Sequence, residues 1–450
     1  MSEGFWRLDR IAQALGGGPG GSRPLRRIVT DSRTLGPGDA FVALKGETFD
    51  GHDFLAEVVA RGVGAVVVSS LRKEARLGVP VFQVPDTLVA LGALAAHWRA
   101  VWGRPVIGVA GSNGKTSTKD LIAAALSTRF HVHATTGNLN NRIGVPATLL
   151  SIPPDAELAV VELGTSLPGE VAILRDIARP EVAVVTCVAE EHLEGLGDLA
   201  GVLREETAAY VGADVAIAPA DQPEVGTVAR AVARQTVSAG LESGDLRASS
   251  WQLDADGTGS VVVDGVTVRV PLRGMHNLRN AMLALAVARA CGISLEDSAR
   301  GIEAMPAPKM RSAWQALGRA VLINDAYNAN PGSTRAAIEL LRGVPGNRQR
   351  VVVLGTMREL GPRSAEYHDE IARLALGCAN VVAGVGDFAT ALRRIPAGDA
   401  AVVTAADVEG LWDALEPHLS PDALILLKAS RGVRLERLVP RLEEWAARAA

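Results

Sequence analysis

The stretch Pro105-Val-Ile-Gly-Val-Ala-Gly-Ser-Asn-Gly-Lys-Thr-Ser-Thr-Lys-Asp120 constrains the fold more than any other part of the chain. It opens as a short apolar run from Val106 to Val109. It turns through Gly111, Ser112, Asn113 and Gly114, then continues from Lys115 to Leu126 with helical composition and periodicity. Strand, glycine-rich turn and helix are the parts of a phosphate-binding loop. Glycines let successive backbone N–H groups converge on one point, and the helix start adds the positive end of its dipole. Lys115 offers a mobile positive charge for β- and γ-phosphates, and Thr116 a hydroxyl for Mg²⁺. The strict eight-residue signature needs glycine at 109, where Val109 stands; the shorter Gly-x-x-Gly-Lys-Thr core is present. A plain strand-to-helix turn is the competing reading. The Lys-Thr pair at the helix start favours a nucleoside triphosphate.

A chain of 450 residues predicts about three domains. Its 46 lysines and arginines nearly balance 50 aspartates and glutamates, so bulk charge gives no case for nucleic acid or an anionic membrane. Cys187, Cys291 and Cys378 are far apart and lack metal-ligand spacing. They fit buried thiols in a reducing compartment, hence the cytoplasm. The N-terminus has no signal-like apolar core. No apolar run reaches the ~18 residues of a membrane span.

Residues 1–103 read as a small α/β unit, with a helix over Trp6–Leu15 and strands at Ile28–Arg33, Asp39–Leu44, Ala65–Val68 and Val81–Val84. Helices are expected at 53–61 and 86–102. The polar clusters Thr30-Asp-Ser-Arg33 and Lys45 to His52 follow strands, where α/β units place ligand contacts, although ordinary turn chemistry explains them equally well. Residues 104–312 hold the phosphate loop. There Leu158–Gly164 is a buried strand carrying Glu162, a carboxylate that needs a cation or hydrogen-bond donors. His192 follows a second strand, Val182–Thr186, and on its own reads more readily as a structural hydrogen-bonder. A hairpin is expected around Asp264-Gly265 within Gly259–Val270, then a helix from Ala281 to Cys291. Residues 313–450 alternate apolar strands with polar turns, as in a doubly wound sheet.

Taken together these motifs resemble the ATP-dependent Mur ligases of peptidoglycan synthesis, and the resemblance runs the whole length. It is carried by Asp31-Ser-Arg33 with Pro37-Gly-Asp39, Gly46 to His52, Gly111 to Ser117, Asn138 to Pro146, Glu162-Leu-Gly164, His192-Leu-Glu-Gly195, His276-Asn277 with Asn280, Asp325, Tyr327-Asn-Ala-Asn-Pro331 and Lys428-Ala-Ser-Arg431. The Tyr-Asn-Ala-Asn-Pro segment points to the members that add a dipeptide. The resemblance implies a three-domain α/β architecture: a UDP-sugar-peptide domain, a P-loop ATP domain and a doubly wound C-terminal domain. It implies ATP and Mg²⁺ as cofactors, UDP-MurNAc-tripeptide and D-Ala-D-Ala as substrates, and a monomer that closes on its ligands. It further implies a role in cell-wall building, and through it in cell shape and division.

Residue by residue, the resemblance implies that Gly111, Ser112, Asn113, Gly114, Lys115, Thr116 and Ser117 hold ATP phosphates. Asn277 and Asn280 would approach adenine, Arg311 the phosphates, and Asp325 the ribose. Thr116, Glu162 and His192 would bind Mg²⁺. Asp31, Ser32, Arg33 and Lys45 would serve the UDP-sugar. Asn138, Asn141, Thr165, Ser166, Tyr327, Asn328, Asn330, Lys428 and Arg431 would contact the substrates. Three departures stand out. Where the family has a lysine carrying a CO₂-derived carbamate, this chain has Glu206, and no lysine lies between Lys119 and Lys309. We expect the Glu206 carboxylate to serve Mg²⁺ directly or through water, without CO₂; a degraded second metal site is the competing reading. Thr356 stands where aspartate is frequent, and no glycine precedes Arg311 in Lys309-Met-Arg311. Two rivals stay open: another amino-acid-adding or folylpolyglutamate-type ligase, and a nucleotide-binding regulatory protein that has lost catalysis.

Overall fold

The computed structural model describes residues 5–70, 77–306 and 310–449; Lys309 lies outside them. Three sheet-based units follow one another. In the first, the parallel strands Ile28–Val29, Ala40–Val42, Ala65–Val68 and Val81–Gln83 lie in sequence order. The first two are shorter than expected, and the chain turns just past the first, where Asp31 accepts the Arg33 N–H at 2.9 Å. Asp39, fully buried, accepts from Arg26 at 2.7 Å and Arg27 at 3.2 Å and from the Gly36 N–H at 2.9 Å. It therefore organises the turn of the Pro37-Gly-Asp39 motif. The helix Thr87–Trp102 is capped at its start by Asp86, which accepts from the N–H groups of Leu88 and Val89, and at its end by left-handed Gly103. Its buried Arg99 bonds the Ala178 carbonyl at 2.9 Å and Glu181 at 2.6 Å, which ties the first unit to the second.

The second unit is a seven-stranded sheet in which Val106–Ala110 lies between Leu158–Glu162 and Val182–Val185. These central strands are buried along their length, as expected for parallel strands covered on both faces. The hairpin Gly259–Val263 and Val266–Val270 turns through Asp264 and Gly265, both at positive φ, the requirement of a tight two-residue hairpin turn. It packs with the helix Met275–Ala290, which starts earlier than expected. His276, Asn277 and Asn280 are therefore in helical turns rather than in a lead-in loop.

The third unit is a six-stranded sheet in which Ala313–Leu317 pairs antiparallel with Ala320–Asp325 and the remaining pairs are parallel. Ala320–Asp325 and Leu424–Lys428 are neighbours in parallel register, with Asp325 beside Lys428. Their polar ends thus emerge together at one rim. No helix of the described residues is long and apolar enough to cross a membrane.

Candidate active site

The helix Lys115–Leu126 starts on left-handed Gly114 and has no side-chain cap, so its first N–H groups stay open. Glycine is required at two loop positions. A Cβ on Gly111 (φ +119°) would sit 2.2 Å from Thr186 Oγ1, and one on Gly114 (φ +80°) would sit 2.8 Å from the Asn280 amide. Thr186 Oγ1 donates to the Asn113 carbonyl at 2.5 Å and the Ser112 N–H donates to the Cys187 carbonyl at 2.8 Å. The loop is therefore stitched to the strand end that leads to His192.

Around the loop lies a cavity of about 780 Å³. From the second unit it is bordered by the loop from Ser112 to Ser117, by Asn138 and Asn141, by Glu162, Thr165 and Ser166, by His192, and by Asn277 and Asn280. From the third it is bordered by Arg311, Asp325, Tyr327, Asn328, Lys428 and Arg431. The structure thus brings these expected residues of the two units to one place, whereas Gly111, Glu206 and Asn330 do not border the cavity. It does not bring Asp31, Ser32, Arg33 or Lys45 there. Asp31 instead pairs with Arg33 at 2.8 Å on an exposed turn, and the Arg33 hydrogen bond holds the Asp31 carboxyl down at about 2. Lys45 is exposed.

Glu162 is buried and has the donors its burial demands: Thr116 Oγ1 and Asn140 Nδ2, each at 2.8 Å. Asn140 thus joins the site, a residue the sequence reading passed over in favour of Asn138 and Asn141. Asn141 caps the next helix, accepting from the Gly144 N–H at 2.9 Å. Thr165 Oγ1 donates to buried Glu205 at 3.0 Å, and the Ser166 N–H donates to Glu170 at 2.8 Å. Across the cavity the Asp325 carboxylate takes the Ser312 N–H at 2.9 Å and Lys428 at 2.5 Å. The Arg311 guanidinium lies 4.2 Å above the Tyr327 ring. Asn330, bordering the phosphate loop, caps the helix Pro331–Gly343 in a reciprocal pair with Ser333 and donates to Asn113 Oδ1 at 2.9 Å. Its amide therefore joins two units. His276 lies half-buried on the same wall, and desolvation lowers its pKa to about 4.

Three ionisable side chains meet behind the loop: Glu191 and Glu206, both buried, and half-buried Lys115. Lys115 Nζ donates to the Gly111 carbonyl and stands 3.5 Å from Glu191 and 4.0 Å from Glu206. Burial opposes the Lys115 charge, but Glu191, Glu206 and Glu162 outweigh it and raise its pKa. Glu206 is fully buried, does not border the cavity, and accepts the Gly111 N–H at 2.6 Å. Glu191 stands in front of it on the cavity wall. Burial raises both carboxyls, Glu191 to about 8. Drawn as carboxylates, each leaves its Oε1 without a hydrogen-bond donor. Both shifts run toward the protonated form, and a proton held by one carboxyl is the donor that the other lacks. Glu191 was missed from sequence; the pair Glu190-Glu191 just past a buried strand was the available signal.

His192, in a left-handed conformation, pairs through Nδ1 with Glu359 of the third unit, whose carbonyl also accepts the Glu194 N–H at 3.2 Å. Glu359 had no sequence signal. Thr356, at the position where aspartate is frequent, accepts the Asp387 N–H at 3.0 Å and so ties its loop to the start of the helix Asp387–Arg394. Among the described residues no three His, Cys, Asp or Glu side chains form a ready-made metal cage. The oxygen donors of Thr116 and Glu162 nevertheless suit Mg²⁺, which binds through one or two protein groups plus phosphates and water.

Comparison with known proteins matches these units in turn. Residues 24–99 match the model described as Mur ligase family, catalytic domain; 109–288 match the Mur ligase middle domain; and 310–431 match the Mur ligase glutamate ligase domain. The chain belongs to the Mur ligase family. Among Mur ligases it is 35% identical over 430 residues, 93% of each chain, to the UDP-N-acetylmuramoyl-tripeptide--D-alanyl-D-alanine ligase of Bacillus subtilis. It is also 35% identical over 451 residues to the Escherichia coli protein of the same name, covering 97% of this chain and 98% of that one. Among solved Mur ligases, MurF from Acinetobacter baumannii superposes with a TM-score of 0.88 at 33% identity, covering 98% of this chain and 99% of that one. MurF from Thermotoga maritima in complex with ADP gives a TM-score of 0.82 at 28% identity, covering 94% and 99%.

Proposed function

We propose that this chain uses ATP to join D-alanyl-D-alanine to UDP-N-acetylmuramoyl-tripeptide, forming the pentapeptide precursor of peptidoglycan. It does so as a cytoplasmic monomer whose activity bears on cell shape and division. The observation that carries this reading is one cavity in which an open phosphate loop faces the polar strand ends of the third unit. The activity that names the relatives aligning over nearly the whole chain supplies the substrates.

In this reading the loop from Gly111 to Ser117 cradles the phosphates, and Lys115 neutralises the β- and γ-phosphates. Asn277 and Asn280 border the base, Asp325 meets the ribose, and Arg311 reaches the phosphates. Asp31, Ser32, Arg33 and Lys45 hold the UDP-sugar on the first unit. Asn138, Asn141, Thr165 and Ser166 line the path of its peptide. Tyr327, Asn328, Lys428 and Arg431 receive the dipeptide, and Asn330 acts through Asn113. Thr116, Glu162 and His192 are the residues that would hold Mg²⁺, with Glu206 contributing its charge from behind Glu191 rather than from the cavity wall. Bound Mg²⁺ supplies positive charge that lets two anions approach.

The chemistry follows from charge. The terminal carboxylate of the tripeptide attacks the γ-phosphorus, the bond to ADP breaks, and an acyl phosphate forms. The dipeptide amine attacks the acyl carbon. The tetrahedral intermediate expels phosphate and the nitrogen loses a proton, leaving the amide. Lys115 and the open helix start stabilise the transferring phosphoryl group. The test is phosphate release with ATP, Mg²⁺, the UDP-linked tripeptide and D-alanyl-D-alanine, leaving out each in turn, with the product weighed by mass spectrometry. Release should require all four and yield the pentapeptide. Equal release without the dipeptide, or none with the full set, overturns the reading.

A further inference from the structure

Phosphate loops need their lysine free to meet phosphate. Here that lysine already has partners. Its ammonium donates to the Gly111 carbonyl and lies 3.5 Å from Glu191 and 4.0 Å from Glu206. Both carboxyls are almost wholly buried, each with a donorless oxygen, and Glu206 also occupies the Gly111 N–H at 2.6 Å. Buried carboxylates of this kind require a counter-charge, and the cation the structure places beside them is Lys115. An incoming polyphosphate bears the same sign as the pair and seeks the same ammonium.

We propose that Glu191 and Glu206 are positioning residues that act through Lys115: in the nucleotide-free protein they hold its ammonium back against the loop, and a polyphosphate binds by drawing it off this pair. The proposal rests on the nucleotide reading of the site and adds that the pair competes with the ligand. Competition predicts an unusual sign. Removing two buried polar groups normally harms a site; here, removing their charge should help the ligand in. The double change Glu191→Gln with Glu206→Gln keeps the shape and removes the pair's negative charge. It also leaves an amide oxygen at position 206 to accept the Gly111 N–H.

The test is ADP binding by calorimetry in EDTA, on the full chain. The double variant should bind ADP at least five-fold more tightly than the parent, whereas Glu191→Asp, which keeps the charge, should stay within two-fold of the parent. Equal or weaker binding by the double variant overturns the proposal. Failure of both the parent and the double variant to bind ADP overturns the nucleotide reading itself. A second measurement needs no ligand. Lys115→Met should lower the melting temperature of the nucleotide-free chain by stranding the pair, and adding the two glutamine changes should restore it. No loss in Lys115→Met, or no recovery in the triple variant, overturns the coupling.

Discussion

Two clusters of charge, one on the first unit and one behind the phosphate loop, are built on opposite principles. Half-buried Asp31 and exposed Arg33 are two residues apart and bonded to each other. Lys115, Glu191 and Glu206 come from three separate segments; the two carboxyls are buried, and the Lys115 ammonium stands 3.5 Å from one and 4.0 Å from the other. The first cluster is a surface that gains meaning when a ligand arrives. The second stores electrostatic tension before any ligand is present. A charge on an exposed turn is screened by water and its removal costs little, whereas a change in the buried set is felt at once.

The largest effect expected from this contrast is on the buried side. Lys115→Met should cut turnover by about 10²–10³-fold, the usual scale for losing one preorganised group at a developing charge. Phosphate release under saturating substrates measures it; a fall of less than tenfold would break the contrast at its strongest point. On the exposed side, Arg33→Ala removes a charge-assisted donor, worth roughly a tenfold rise in KM for the UDP-linked substrate. Because Arg33 is not at the cavity, ADP affinity should be unchanged. A shift in ADP affinity would show that the two clusters communicate in the free protein.

Between these extremes lies the amide bridge from Asn330 to Asn113. Asn330→Ala should cost about 1 kcal/mol of stability through the lost helix cap, seen as a lower melting temperature, and raise KM for ATP a few-fold. Asn330→Ser restores the cap but not the bridge. If KM recovers with the cap, the bridge has no role of its own in ATP binding.

The same contrast explains what was legible in the chain. The loop from Gly111 to Thr116 and the strand carrying Glu162 could be read because their chemistry is local: turn, helix start and strand are consecutive. The hairpin at Asp264-Gly265 was readable for the same reason. Glu191, Asn140 and Glu359 were not, because each acquires its role from a partner that only the tertiary fold delivers. Glu359 reaches His192 across 167 positions of chain, and Glu206 reaches Gly111 across 95. The start of the helix Met275–Ala290 was misplaced because Gly274 and two asparagines read as loop. Packing of Leu278 and its neighbours into the core outweighed those weak propensities.

The smallest expected effect is an absence. The family resemblance implies a lysine carbamate at position 206, made from CO₂; this chain places there a carboxylate that is already bonded to Gly111 and set beside Lys115. A carboxylate needs no adduct to be an anion. Turnover in carefully CO₂-free buffer should therefore stay within twofold of turnover with added bicarbonate. Glu206→Lys sharpens the point. A lysine at 206 would set a second ammonium against Lys115, with Glu191 left as the nearer counter-charge, so activity should collapse, and bicarbonate should recover part of it by converting that ammonium to a carbamate anion. A bicarbonate-dependent parent would mean that the buried pair does not stand in for the adduct and that another group in the cavity must capture CO₂. A bicarbonate-independent parent with a bicarbonate-rescued lysine variant would mean that what position 206 requires is negative charge, however supplied.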